Sequence, residues 1–164
     1  EIIYELAKKF KKLFFNVYGD KLDNKFKSLK NIKFYGFINY SDVPSMLSKS
    51  DLLLLPSQEV QYGRSNSVNI SNYNSPLKMF DYLAAGKVIV SSKLDGICEI
   101  LKHNQNSILV NGFEVSAWER TMKTILDKNY NLKKIRRNSL KTAKKFTWIN
   151  RVENILLAYR PLKK

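Results

Sequence analysis

The chain has 164 residues, 44% hydrophobic and 12% aromatic, which fits one folded domain and excludes a disordered chain. The run Asp51-Leu-Leu-Leu-Leu-Pro56 has the length of a buried strand, far short of a membrane span. A formal net charge of +15 admits anionic partners, and the single cysteine, Cys98, excludes an internal disulfide or cysteine metal cluster and points to a reducing compartment.

In chain order, residues 1–11 read as the end of an amphipathic helix with Ile2, Ile3, Leu6 and Phe10 on one side. The start is charged and periodic from Glu1, without a signal-peptide pattern. Leu13-Phe-Phe-Asn-Val-Tyr-Gly19 and Asn31-Ile-Lys-Phe-Tyr-Gly36 read as short strands, each stopped by a glycine. Ser41 is the expected cap of a helix through Leu47, and 51–55 is a strand apolar enough to be covered on both faces. Residues 57–74 form a long polar loop, of the kind that carries function.

The next helix is expected over 75–85, with Ser75 as N-cap, Pro76 at the first helical position and Gly86 as the stop. Its N-terminus offers free backbone N–H groups to a phosphate. Asp81, further along, is a carboxylate able to hold sugar hydroxyls. Phosphate donors beside a diol acceptor are the requirements of a nucleotide-sugar site. Strands follow at Val88–Ser91 and Ser107–Val110, separated by a helical turn at Ile97–Leu101. The remainder reads as helices over 117–127, 132–146 and 147–159, with Trp118 and Trp148 as core anchors.

Strands alternating with helices, then a C-terminal helical tail, give an α/β fold: a Rossmann-like, doubly wound parallel sheet. In such a sheet ligands sit beyond the strand carboxyl ends. Gly19, Gly36, the 57–74 loop and Ser75 all converge there. His103 reads as a surface-loop residue, since no nucleophile-and-acid set surrounds it. Lysines cluster at Lys8, Lys9, Lys11 and Lys12, and at Lys21, Lys25, Lys27 and Lys30. The stretch 128–151 holds no acidic residue, and Lys133, Arg137, Lys141 and Lys144 fall at helical spacing opposite Ile135, Ala143 and Phe146. That face is either a solvated surface or one drawn to an anionic membrane or nucleic acid.

Taken in order, three segments resemble the C-terminal, donor-binding domain of retaining family 4 glycosyltransferases of the GT-B fold. They are Asn31–Pro44 followed by Ser50–Ser57; Ser75-Pro-Leu-Lys-Met-Phe-Asp-Tyr-Leu-Ala-Ala-Gly-Lys-Val-Ile-Val-Ser-Ser92, a Ser-Pro-Leu-Lys variant; and Asp95–Leu101 with the closing helix Phe146–Tyr159. The resemblance implies that Asp81 binds the donor ribose, that the N–H groups of Leu77 and Lys78 beside Ser75 face the diphosphate, and that Gly36, Phe37 and Ile38 lie near the base. Glu99 is a further candidate on the rim. The family's other acid, with seven residues between it and Asp81, falls on Tyr73, so the sugar contact passes to Tyr73 itself or to Glu59, with Arg64 nearby.

The resemblance also implies a transfer needing no metal or other cofactor, from a nucleotide-diphosphate sugar to a glycan or lipid acceptor in polysaccharide biosynthesis. The arginine and lysine that neutralise the leaving diphosphate are expected upstream of residue 1, together with the first strand and the acceptor-binding N-terminal domain. Residues 1–164 are thus expected to be one domain of a larger hexosyltransferase, inactive alone, cytoplasmic and peripheral on an anionic inner membrane face. A GT-B nucleotide-sugar epimerase is a rival, though the acid–base carboxylates and histidines of that class have no match here. A basic nucleic-acid-binding module is another, suggested by charge alone, and nucleic acid is not the expected partner. A dinucleotide-binding Gly-x-Gly-x-x-Gly run is missing.

Overall fold

Among the described residues, five short parallel strands carry the fold, and helices cover both faces. The structure is a computed structural model and describes residues 1–19, 28–62, 69–73 and 75–159. Lys21, Lys25, Lys27 and Arg64 lie outside those residues. The elements are α1 (Ile2–Lys9), β1 (Phe15–Val17), β2 (Ile32–Phe34), α2 (Val43–Ser48), β3 (Leu52–Leu55), α3 (Lys78–Ala84), β4 (Val88–Ser92), α4 (Asp95–Cys98), β5 (Ile108–Val110), α5 (Val115–Leu126), α6 (Leu132–Ala143) and α7 (Trp148–Tyr159). Single 3₁₀ turns occupy Tyr40–Asp42, Ser71–Tyr73 and Lys144–Phe146.

The strands form two parallel groups, β1–β2 and β3–β4–β5, with Phe15 opposite Ile32, Leu52 opposite Val88 and Val90 opposite Ile108. The two-residue period of a strand splits their side chains between two cores. Val88, Val90, Ile108 and Val110 join Leu6, Trp118, Met122 and Ile135 on one face. Ile89, Leu109 and Leu55 join Met79, Leu83 and Ile97 on the other. Every residue of β4 and β5 is buried, as a sheet covered on both sides requires. This is the doubly wound, Rossmann-like arrangement expected.

Several local expectations are corrected. Ser75 is exposed and does not cap α3; Pro76 opens a tight turn in which Met79 N–H donates to its carbonyl (2.9 Å), and the helix proper begins at Lys78. Ser41 lies inside a 3₁₀ turn, and the residue ahead of α2 is Asp42. Trp118 is fully buried, but Trp148 is 79% exposed and anchors no core. The whole apolar side of α7, including Val152, Ile155, Leu156 and Tyr159, is likewise exposed. Gly86 stops α3 as expected, with φ +62°. There α6 takes over the loose carbonyls: Arg136 Nε donates to Gly86 O (3.2 Å) and Ser139 Oγ to Leu83 O (3.3 Å). His103 is exposed, and its Nδ1 accepts the Leu109 N–H at 3.1 Å, a structural task beside β5.

Candidate functional site

The carboxyl ends of β1 and β2 are tied by two glycines in the left-handed region. Gly19 (φ +135°) donates its N–H to the carbonyl of Gly36 (φ +70°) at 2.8 Å. Just before them Tyr18 and Tyr35 stack with ring centroids 4.7 Å apart, and the Lys33 ammonium lies 4.9 Å from the Tyr35 ring. Beyond Gly36 the chain crosses the rim through Phe37, 80% exposed, and half-buried Ile38. It then reaches α3, where the Tyr40 hydroxyl donates to Asp81 Oδ1 at 3.0 Å.

That bond brings the expected base-side segment and the expected ribose carboxylate into one place. It holds the Tyr40 phenol above its ordinary pKa, through the hydrogen bond first and the carboxylate charge second. Tyr82 is also raised, mainly by burial and then by Asp81, so it too stays neutral at physiological pH. A carboxylate has about four lone-pair positions. With Tyr40 on Oδ1, Oδ2 can still accept from a diol.

Leu77 and Lys78 are exposed at the start of α3, and no hydrogen bond engages their N–H groups among the described residues. Lys78 borders a cavity of about 550 Å³ together with Tyr18 and Tyr82. Glu59 borders an adjoining cleft of about 530 Å³ with Glu1, Val17, Pro56 and Phe113, and Val17 and Pro56 line both. Loop 57–74 is tied to itself in its described part. Ser71 Oγ donates to Glu59 O (2.8 Å), and Asn69 Oδ1 accepts from the N–H groups of Gln61 and Ser71. The turn Ser71–Tyr73 packs on α4; Tyr73 is 84% exposed, and Glu99, directly after α4, is exposed too. Among the described residues, no hydrogen bond joins Glu59, Tyr73 or Glu99 to Asp81 or Lys78. The side-chain contact that links two of the expected segments is thus Tyr40 with Asp81, while Glu59 is joined through Ser71 to the turn that carries Tyr73.

A family model described as glycosyl transferases, group 1, matches residues 1–128. The chain belongs to the group 1 glycosyltransferases. Similar solved structures include a glycosyltransferase from Rickettsia africae, 18% identical with TM-score 0.76, over 99% of this chain and 44% of that one. Anabaena HepE in complex with UDP-glucose is 21% identical with TM-score 0.69, over 96% and 44%. Sucrose-phosphate synthase from Thermosynechococcus elongatus is 15% identical with TM-score 0.70, over 98% and 42%. At these identities the likeness shows the fold. This glycosyltransferase chain spans less than half the length of each. No curated protein matches its sequence.

Three residues of the glycosyltransferase rim escaped the sequence reading. Tyr40 was an ordinary loop residue, and its partner lies 41 positions away. Tyr18 and Tyr35 occupy equivalent places, each immediately before a strand-ending glycine, and that repetition was the available signal.

Proposed function

We propose that this chain is the donor-binding half of a retaining glycosyltransferase that moves a hexosyl group from a nucleoside-diphosphate sugar to a glycan or lipid acceptor. The observation that carries the reading is the Tyr40–Asp81 hydrogen bond, which sets a carboxylate beside the Gly36–Ile38 segment. Asp81 Oδ2 accepts from the ribose hydroxyls while Tyr40 fixes Oδ1, and Gly36, Phe37 and Ile38 border the base. The N–H groups of Leu77 and Lys78 and the Lys78 ammonium face the diphosphate, with Ser75 at the edge. Glu59 or Tyr73 meets the transferred sugar where the family's other acid stands, and Glu99 completes that side. HepE, a structural neighbour, was solved with UDP and with UDP-glucose, which supports a donor of this class.

In this reading the acceptor lies on an N-terminal domain of the same enzyme, and the cations that take up the leaving-group charge lie ahead of Glu1. Residues 1–164 then bind a donor but do not transfer, and the reaction is metal-independent. The exposed basic residues of α6 and the 144–145 turn dock the intact enzyme on an anionic membrane face, on the cytoplasmic side where nucleotide sugars are used.

The test is a thermal-shift and calorimetric panel of nucleoside diphosphates and nucleotide sugars, on wild type and Asp81→Ala, with and without EDTA. One nucleotide class should stabilise the wild type. Charge-assisted hydrogen bonds contribute about 1.5–3 kcal/mol, so Asp81→Ala should weaken binding by roughly 10- to 100-fold. EDTA should leave nucleotide binding unchanged. Equal binding by wild type and variant removes the role of Asp81, and no binding by any nucleotide removes the donor reading.

A further inference from the structure

Tyr40 is 76% exposed and joins neither apolar core, yet its backbone is held. It opens the turn Tyr40–Asp42, its carbonyl accepts the Val43 N–H, and the chain runs straight on into α2. Asp81 is held as well. Its carbonyl accepts the Ala85 N–H at 2.9 Å, and Met79 and Leu83, two residues before and after it, are fully buried. A phenol and a carboxylate on two fixed backbones therefore meet at the rim. An exposed side-chain hydrogen bond adds little to stability, so the fold does not account for this one.

The pair is chemically one-sided. A neutral phenol has one proton to give, and Asp81 Oδ1 takes it. What is left is acceptors alone: lone pairs on the Tyr40 oxygen and on Asp81 Oδ2. No ion pair or second hydrogen bond engages the Asp81 carboxylate among the described residues. The hydrogen bond and the carboxylate charge keep the phenol protonated, which preserves this arrangement at physiological pH. A matching ligand must bring two adjacent donors. The Tyr40 oxygen lies 3.0 Å from Asp81 Oδ1, and the two oxygens of a cis diol on a sugar ring are separated by a similar span, that of a hydrogen bond between oxygens.

We infer that Tyr40 reads the donor directly: one hydroxyl of the ribose diol donates to Asp81 Oδ2, and its neighbour donates to the Tyr40 oxygen. The inference rests on the donor-binding reading and adds to it a residue that touches the donor. It divides the diol between a charged and a neutral acceptor, so the two hydroxyls contribute unequally. A nucleotide lacking the hydroxyl that faces Tyr40 leaves the phenol oxygen to solvent and loses that contribution. Tyr40 is then a specificity residue, selecting ribose over deoxyribose at a hydroxyl the carboxylate does not hold.

Calorimetry on the intact protein tests it, with UDP, 2′-deoxy-UDP and 3′-deoxy-UDP and the same three forms of ADP and GDP. For the nucleotide that binds, one deoxy form should bind at least about tenfold more weakly and the other about three- to tenfold, as charged and neutral acceptors differ. In Tyr40→Phe the smaller penalty should shrink to within about twofold while the larger one stands. Penalties that both persist in Tyr40→Phe overturn the inference. So does their joint loss in that variant, since Tyr40 then only tethers Asp81. Indifference of the wild type to both deoxy forms overturns it too, while weaker binding by Asp81→Ala leaves the donor reading standing. If no nucleotide binds, the donor reading itself falls, and the role of Tyr40 with it.

Discussion

Tyr40 is exposed yet spends its hydroxyl on Asp81, so its titration reports the contact directly. The neutral phenol donates, and its pKa in the folded chain lies above the ordinary value of about 10. For a group raised on folding, the contact is intact below the ordinary pKa and lost as pH climbs through the raised one. Ultraviolet titration, read as the difference between wild type and Tyr40→Phe, should place this phenol above the ordinary range. In an Asp81→Ala background it should fall back; an unmoved curve means the bond does not form in solution. A second residue does purely structural work. Buried Asn31 donates its Nδ2 to the carbonyls of Ala7 (3.0 Å), Phe10 (3.3 Å) and Leu13 (2.9 Å), pinning the end of α1 to the start of β1. Asn31→Ala should lower stability by about 1–3 kcal/mol, the cost of stranding buried acceptors, and drop Tm by several degrees in a melt. The strand-ending glycines were legible because their chemistry is local. Tyr40 and Asn31 were not, because each acts on residues far along the chain.

At the level of elements, the strand patterns carried reliable information because a two-residue period needs only neighbouring side chains. The caps did not. Pro76 tightens its turn, which moves the start of α3 past the serine that sequence preference favours. Trp148 misled for a different reason: an amphipathic helix declares that it has an apolar side, but not what covers it. The α3–α6 junction gives a stability test. A Cβ on Gly86 would stand 2.8 Å from Leu140 Cγ, on a backbone at φ +62°. Gly86→Ala should cost about 1–2 kcal/mol from the backbone alone. Chemical denaturation of Gly86→Ala with and without Leu140→Ala separates strain from contact: relief in the double variant shows that packing adds to the cost.

For the molecule as a whole, the doubly wound class followed from element order, but the break between β1 and β3 did not, since pairing joins residues remote in sequence. The charge of +15 also acts at this scale. α6 and the turn after it expose Lys133, Lys134, Arg137, Lys141, Lys144 and Lys145, and the exposed apolar side of α7 follows at once. Among the described residues no helix is long and apolar enough to cross a membrane, and the surface docking proposed above would use this basic and apolar face. The intact enzyme should sediment with vesicles rich in acidic lipid, ignore neutral ones, and detach near 0.5 M salt as charges are screened. Lys144→Glu with Lys145→Glu should weaken that binding at least about tenfold. Sedimentation indifferent to lipid charge and to salt would remove the membrane reading.

The short crossing Phe37–Asn39 is held at both ends, by the Gly19–Gly36 bond behind it and by Tyr40 on Asp81 ahead. Its side chains add little to either core, so it is an exchangeable cassette. In the donor-binding reading proposed above, evolution or a combinatorial library can rewrite those positions and change which base is preferred while the scaffold's folding is left alone.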